Sequence, residues 1–472
     1  MNFPSMNEMV SIGDLMELNK ALQKSATIGY QTPADTTVGG TMSPLVPQSL
    51  EGTLSSQTFT MKELVIWPAI SKIPVSQTVH EYTVIEEHGL DLDPFIAEGG
   101  GGTTNRSVYE RRSVKVKYMA ERREVTDVAT MVGLIGPNAN ALAEETERGT
   151  IRLLQKIETQ IFHGDEDLNA NGFDGLVKQI RAGGNVTDLE GDPASPDQLQ
   201  EILGDLQSAP FYGRPDCIYV EPKVHQDLIR QTVAFGRHDQ VKITNGTDIS
   251  FGVQNLAMMS SYGLVPVKAA PFLFTAWPAP VSGSGGANAP ATPVLGSAVA
   301  HAAGLPGTSK WTASDAGDYY WKVVAVSDGG YSAPLTSAQT AVVATQKMEI
   351  DLDDIAVQSG TYPVKHYRVY RSEKDGAATT CTLLMEVAIN TDGGSGGTMW
   401  GDYNAIKPKT SKALIVQHDR TIMEFVRLLD FLRRPLAEVA TTKPFLLMLF
   451  GAPVVKIPTK CHLIDNIGVT PV

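Results

Sequence analysis

The residues with the most suggestive chemistry are Asp165, Asp167, Asn169 and Asn171, alternating along the chain before Gly172. Oxygen ligands at alternate positions ahead of a glycine form the first half of a calcium loop. Counted from Asp167, however, the twelfth position is Lys178, where a bidentate Glu is required. Counted from Asp165, Ala170 stands where the glycine belongs. A turn that closes a helix accounts for the same residues without a metal. The run Gly99-Gly100-Gly101-Gly102 has the composition of a phosphate cradle, but no Lys-Ser or Lys-Thr follows and no helical pattern opens there. It reads as a loop tip. The nine histidines, including His80, His88, His163 and His418, lack HExxH spacing and companion cysteines, so they read as solvated or core residues. There is no Gly-x-Ser-x-Gly elbow. Cys217, Cys381 and Cys461 are odd in number and widely spaced, as expected of reduced thiols in a cytosolic folding compartment. The sequence predicts no catalytic residue, no metal site and no cofactor.

Charge is distributed more tellingly. An acidic limb carries Glu81, Glu86, Glu87, Asp91, Asp93 and Glu98; a basic return limb carries Arg106, Arg111, Arg112, Lys115, Lys117, Arg122 and Arg123. In the return limb Val114, Val116 and Tyr118 alternate with Ser113, Lys115 and Lys117, the period of a strand with one apolar face. A long hairpin of this kind buries little of itself and suits a position across a neighbour. Binding of nucleic acid by the basic limb is the competing reading; pairing with another subunit is the more economical. Each exposed ion pair contributes only about 0–1 kcal/mol, so such contacts set register and partner choice more than strength.

These limbs need a frame. The chain of 472 residues exceeds the size of one hydrophobic core, so two or three domains are expected. A formal charge of −13 argues against reading nucleic-acid sequence, though not against enclosing nucleic acid. The N-terminus has no cationic start, and the apolar run 444–455 is too short for a membrane helix of about 20 residues. That run reads as a buried strand and turn.

Residues 1–60 read as an arm with one short helix through Ile12, Leu15, Leu18 and Leu22. Gly136-Pro137 opens a long helix whose face is Leu142, Thr146, Gly149, Leu153, Ile157 and Ile161. From Asn138 to His163 it would run roughly 39 Å at about 1.5 Å per residue. Ser195-Pro196 caps a helix, Cys217-Ile218-Tyr219-Val220 is a buried strand, and Glu221-Pro222 starts another helix. Residues 276–309 hold no Asp, Glu, Lys or Arg and form a linker into an all-β module. Its strands are 319–326, 365–371 and 383–387, separated by glycine-rich turns. About a hundred residues of short strands fit a sandwich inserted into a discontinuous host.

The order of arm, charged hairpin, long helix, Gly172-Phe173-Asp174-Gly175-Leu176 turn, α/β region and closing strands resembles the major capsid proteins of tailed bacteriophages, the Hong Kong 97-like fold. The likeness lies in segments 73–126, 138–176, 215–229 and 413–467. It implies an α+β capsid fold. Residues 1–60 would be the N-terminal arm and 61–275 the capsid core, with an extended loop at 71–125, a spine helix at 136–164 and an axial domain at 190–275 joined by part of 405–435. Residues 276–404, including the linker 276–310, resemble an immunoglobulin or fibronectin III-like domain with permuted strand order. Residues 405–472 would return to the core, with strands near 437–460 in a peripheral sheet. The implied subunit interface is Glu86, Glu87, Asp91, Asp93, Arg106, Arg111, Arg112, Lys115 and Lys117.

The function this implies is a structural one. The chain would assemble as hexamers and pentamers of a phage head, built in the bacterial cytoplasm around double-stranded DNA that it encloses without reading. Scaffolding, portal and decoration proteins are the implied partners, and no membrane is involved. A nanocompartment shell of the same fold is the first rival; a hydrolase with an accessory β module is the second.

Overall fold

A computed structural model describes residues 59–468, apart from 90–94, 96–97, 101–103, 132–139, 235–241, 245–247, 251–255, 274–277, 287, 297–298, 303–308, 354–361, 390–397 and 439–440. Residues 1–58 of the expected arm 1–60, the expected helix start at Gly136-Pro137, and Asp91 and Asp93 lie outside the described residues. The elements below all belong to one unit, Gln57–Val132 with Ala141–Val472.

The long helix, Ala141–His163, has 23 residues and so a length of about 35 Å. Ile151, Leu153, Leu154, Ile157, Ile161 and Phe162 are buried along it. Gly149 lets the helix sit close to the strand beneath, because a Cβ there would lie 2.6 Å from Leu447 Cδ1. At its end the chain doubles back. Gly175 donates its N–H to Gly164 O at 2.8 Å, and a Cβ on Gly164 would lie 2.3 Å from Phe173 O. The expected turn is therefore closed by backbone contact, which needs glycine at both positions.

A four-stranded sheet lies against this helix. Its order is Lys72–Pro74, Met423–Pro435, Thr442–Val455 and Lys117–Thr126, with only the first pair parallel. One expectation is corrected here. The run 444–455 is strand throughout, not strand and turn. Gly451 gives space to the Phe425 ring, whose Cε1 would lie 2.4 Å from a Cβ, and Pro453 falls past the end of pairing with Lys117–Thr126. Of residues 405–435, Ser411–Val416 pairs in the six-stranded sheet described next, whereas Met423–Pro435 pairs in this one.

The second sheet has six strands, in the order Val186–Asp188, His462–Ile467, Ser411–Val416, Cys217–Val220, Gly263–Ala269 and Ala257–Ser260. The four residues Cys217–Val220 are all buried because both sheet faces are covered. Ile218 and Val220 pack with Leu199, Leu203 and Leu228 of the helices Pro196–Gln207 and Pro222–Ala234. Cys217 and Tyr219 point the other way, into the cluster that holds Phe162 and Leu176. Ser195 caps its helix reciprocally with Gln198, at 3.2 and 3.0 Å.

Between these elements in sequence, described residues 278–404 form strands and one short 3-10 turn, Ala378–Thr380. One sheet is Ala300–Ala302, Lys347–Leu352 and Thr398–Asp402; a second runs Gly330–Tyr331, Trp321–Ser327, Val364–Arg371 and Thr382–Ala388, with Leu335–Thr336 also on Trp321–Ser327. Trp311, Trp321, Val323, Met348, Ile350 and Val369 share its core. The strand expected at 319–326 divides at Tyr320: Gly317–Tyr319 pairs with Thr340–Val342, and Trp321–Ser327 with Val364–Arg371.

Candidate assembly interface

The hairpin is the two strands Val79–Glu87 and Val108–Lys115, antiparallel, with Val79 opposite Lys115 and Ile85 opposite Tyr109. Among the described residues, no third strand joins this sheet. Cross-strand partners share a face, so the alternation sorts the side chains into two sets. One face carries Val79, Glu81, Thr83, Ile85, Tyr109, Arg111, Ser113 and Lys115, all exposed. Ile85 is 50% exposed and Tyr109 64%. The other face carries His80, Tyr82, Val84, Glu110, Arg112 and Val114, all half-buried. Tyr82 and Val114 pack on Val116, which links the hairpin to the four-stranded sheet, and on Val426 and Val454 of that sheet. Outward, the limbs stay together beyond the paired strands, with Ser107 Oγ donating to His88 O at 3.3 Å. Gly89 (φ +126°) there abuts Asn105.

Anchors at the root hold the hairpin to the sheet. Val116 donates its N–H to Thr78 O at 2.9 Å, and Val75 to Arg427 O at 2.9 Å. His80 Nε2 lies 3.6 Å from Oε1 of Glu424, a fully buried carboxylate that also pairs with Lys456 at 3.0 Å. Burial pushes the Tyr82 phenol up, with neighbouring Arg112 working against it. The hydrogen bond from Arg112 holds the Glu110 carboxyl below its usual range. Between hairpin and body a cleft of ≈ 310 Å³ is lined by Val114, Lys115, Lys117, Glu166 and Asp174 among others.

The expected interface residues divide. Arg111 pairs with Glu81 at 3.4 Å, and Arg112 with Glu86 at 3.5 Å and with Glu110. The two limbs thus neutralise part of their charge within the hairpin, where the opposite-charge pattern suggested a neighbouring subunit as partner. Glu87, Arg106 and Lys115 remain exposed. Lys117 is a correction. It belongs to Lys117–Thr126 of the four-stranded sheet, with Arg122 and Arg123, and its Nζ donates to Glu166 Oε1 and Ala170 O, both at 2.8 Å. The hairpin therefore stops at Lys115: period-two alternation continues unbroken across Val116, which concealed the step from one sheet to the next.

The calcium-like loop has a resident cation of its own. Lys178 Nζ lies 2.5 Å from Asp165, 2.6 Å from Asp167 and 2.9 Å from Asp174. Burial alone would lower its pKa, but hydrogen bonds to the three aspartates outweigh that and raise it. The lysine that spoiled the motif in sequence is the cation that its aspartates hold.

Sequence reading missed three features. Glu158 is fully buried on the long helix and binds the backbone at 65–67; its signal is its place among Leu154, Ile157, Ile161 and Phe162 on the apolar face. Glu424 gave no comparable signal. Ile85 and Tyr109 were hidden by the charged residues around them, although their period matches the exposed acidic and basic positions.

No protein-family model matches this chain. The major capsid protein of Staphylococcus phage K is 23% identical to it over 468 residues, which is 94% of each chain. The putative major capsid protein of Enterococcus phage phiEF24C is 24% identical over 463 residues, 96% of each. This chain is similar to phage major capsid proteins along nearly its whole length. Among solved structures, the capsid of the native GTA particle is 10% identical with a TM-score of 0.46, covering 92% of this chain and 99% of that one. The SrpI encapsulin complex of Synechococcus elongatus has 9% identity, a TM-score of 0.44 and coverage of 92% and 98%.

Proposed function

We propose that this chain is the major capsid protein of a bacteriophage, a structural subunit that acts by assembly and not by catalysis. The observation that carries the reading is the likeness to phage major capsid proteins over 94% of both chains. The hairpin supports it. A lone two-stranded hairpin is marginally stable, and this one leaves a whole face, with Ile85 and Tyr109 on it, open to solvent. Draped on a second copy, that face would be covered.

In this reading the fold is Hong Kong 97-like. The hairpin is the extended loop, Ala141–His163 the spine, the four-stranded sheet the peripheral domain and the six-stranded sheet with its helices the axial domain. The strand-rich segment within 276–404 is an inserted immunoglobulin or fibronectin III-like sandwich that projects outward, since elsewhere it would obstruct the packing of plates. Hexamers and pentamers build an icosahedral head in the host cytoplasm. Glu87, Arg106 and Lys115 set register at the subunit contact, and Asp91 and Asp93 extend it. Scaffolding, portal and decoration proteins are the partners of such a head. An acidic wall of net charge −13 suits a shell that encloses double-stranded DNA without adhering to it. The curated relatives are phage proteins, which favours a virus over a nanocompartment.

Negative-stain microscopy of the purified protein tests this. Angular shells or capsomer rings are expected; a stable monomer at every concentration would overturn it.

A further inference from the structure

An unbroken series of polar contacts joins the six-stranded sheet to the core of the strand-rich segment. It starts at Asn466, buried at the end of His462–Ile467 in a left-handed conformation (φ +53°). Its Nδ2 donates to Asp188 Oδ1 at 2.8 Å and to Ala405 O at 2.9 Å, and its Oδ1 accepts the Lys407 N–H at 2.9 Å. The Lys407 ammonium lies 3.4 Å from the Asp315 carboxylate. Asp315 Oδ2 accepts from Asn404 Nδ2 at 3.1 Å, and Asn404 Oδ1 accepts from Arg371 at 2.8 Å. Arg371 then pairs with Asp402 at 2.8 Å, both side chains 3% exposed, and Asp402 accepts from Trp321 Nε1 at 3.1 Å. The guanidinium stacks 4.7 Å from the Trp311 ring.

This is more polar machinery than the fold of either part requires. A buried ion pair returns little net stability against its desolvation cost, and its best-attested use is to fix one arrangement among several. The contacts here cross from host to insert at the return junction, where Asn404 (φ +58°) and Lys409 (φ +62°) also take left-handed conformations. Side chains that lose their partners when the insert turns make every other orientation costly.

We infer that the series from Asp188 through Asn466, Lys407, Asp315, Asn404 and Arg371 to Asp402 is an orientation lock, which holds the inserted sandwich at one fixed attitude to the six-stranded sheet. The lock does not depend on the shell reading. Only its consequence there, an identical outward face on every copy, rests on that reading.

The test uses the isolated full-length chain with spin labels at Glu201→Cys, on an exposed helix position, and Thr336→Cys, on an exposed strand position. The three native cysteines are buried and are left in place. Pulsed dipolar spectroscopy is expected to give a single narrow distance. Asn466→Ala and Lys407→Met are each expected to broaden it and add a second component, with the near-UV dichroism of Trp311 and Trp321 unchanged. A broad distribution in the unsubstituted chain, or a narrow one retained in Asn466→Ala, overturns the lock. Loss of the tryptophan signal in both variants also overturns it, because the network would then hold the sandwich itself together.

Discussion

Glu158 Oε1 accepts the backbone N–H of Val65 at 2.6 Å, tying the chain ahead of the first strand to the C-terminal part of the long helix. The same carboxylate accepts from Ile66 at 3.1 Å and Trp67 at 3.2 Å. It therefore serves as the missing N-terminal cap of the short helix Ile66–Ala69, which has no side-chain cap of its own. Glu158→Ala leaves three donors without an acceptor, at about 1–3 kcal/mol for each one that is buried. A total loss on the order of 3 kcal/mol or more is expected in guanidinium denaturation. Glu158→Gln keeps one acceptor oxygen and should fall between; equal midpoints for all three proteins would contradict this.

Acidification should weaken the fold through two histidines. Burial, with Lys412 adding to it, lowers the His163 pKa to about 4, and the hydrogen bond of its Nε2 to Leu273 O only partly offsets this. Burial also lowers His462 to about 4, beside Thr187. A histidine depressed below its unfolded value of about 6.5 favours folding above that pH, and the contribution is lost as pH falls towards the folded value. Stability should thus decline from pH 6.5 to 4, and His163→Gln should flatten part of the slope. A wild-type profile that is level across this window would refute the assignment.

Lys178 carries the charge balance of the turn after the long helix. Lys178→Met leaves Asp165, Asp167 and Asp174 facing one another and should cost on the order of 1–2 kcal/mol. Millimolar calcium should restore part of that loss in the variant and do nothing for the parent chain, read as a shift in melting temperature. Equal calcium shifts in both proteins would count against the lysine as the resident cation.

Gly175→Ala should be among the most damaging small substitutions, since the added Cβ would lie 2.6 Å from Gly164 N and 2.8 Å from Phe162 O. Both are backbone atoms and cannot rotate away, so a cost of about 2–4 kcal/mol is expected. Gly204→Ala, where a Cβ meets open space, is the matched control and should be neutral or slightly stabilising.

What the sequence revealed depended on how local the cause was. The Ser195 cap, the buried strand Cys217–Val220 and most of the long helix are set by neighbours a few residues away, and each was legible. The step at Val116 was not, because a strand that changes sheets keeps the same alternation on both sides. Nor was the parallel pairing of Phe425, Val426 and Arg427 with Lys72–Pro74, whose partners lie far apart in sequence. At the candidate interface the charged residues were easy to see but partly satisfy one another. The unsatisfied surface is the apolar component between them, which composition does not flag.

The central claim is that the open face of the hairpin is a contact between subunits. The most direct measurement is sedimentation velocity with electron microscopy on the chain carrying Ile85→Lys and Tyr109→Lys together. Both side chains are solvent-exposed, so the melting temperature should match that of the parent chain. The account predicts folded protomers or small oligomers and no closed particles. Closed particles at the parent's yield would contradict it.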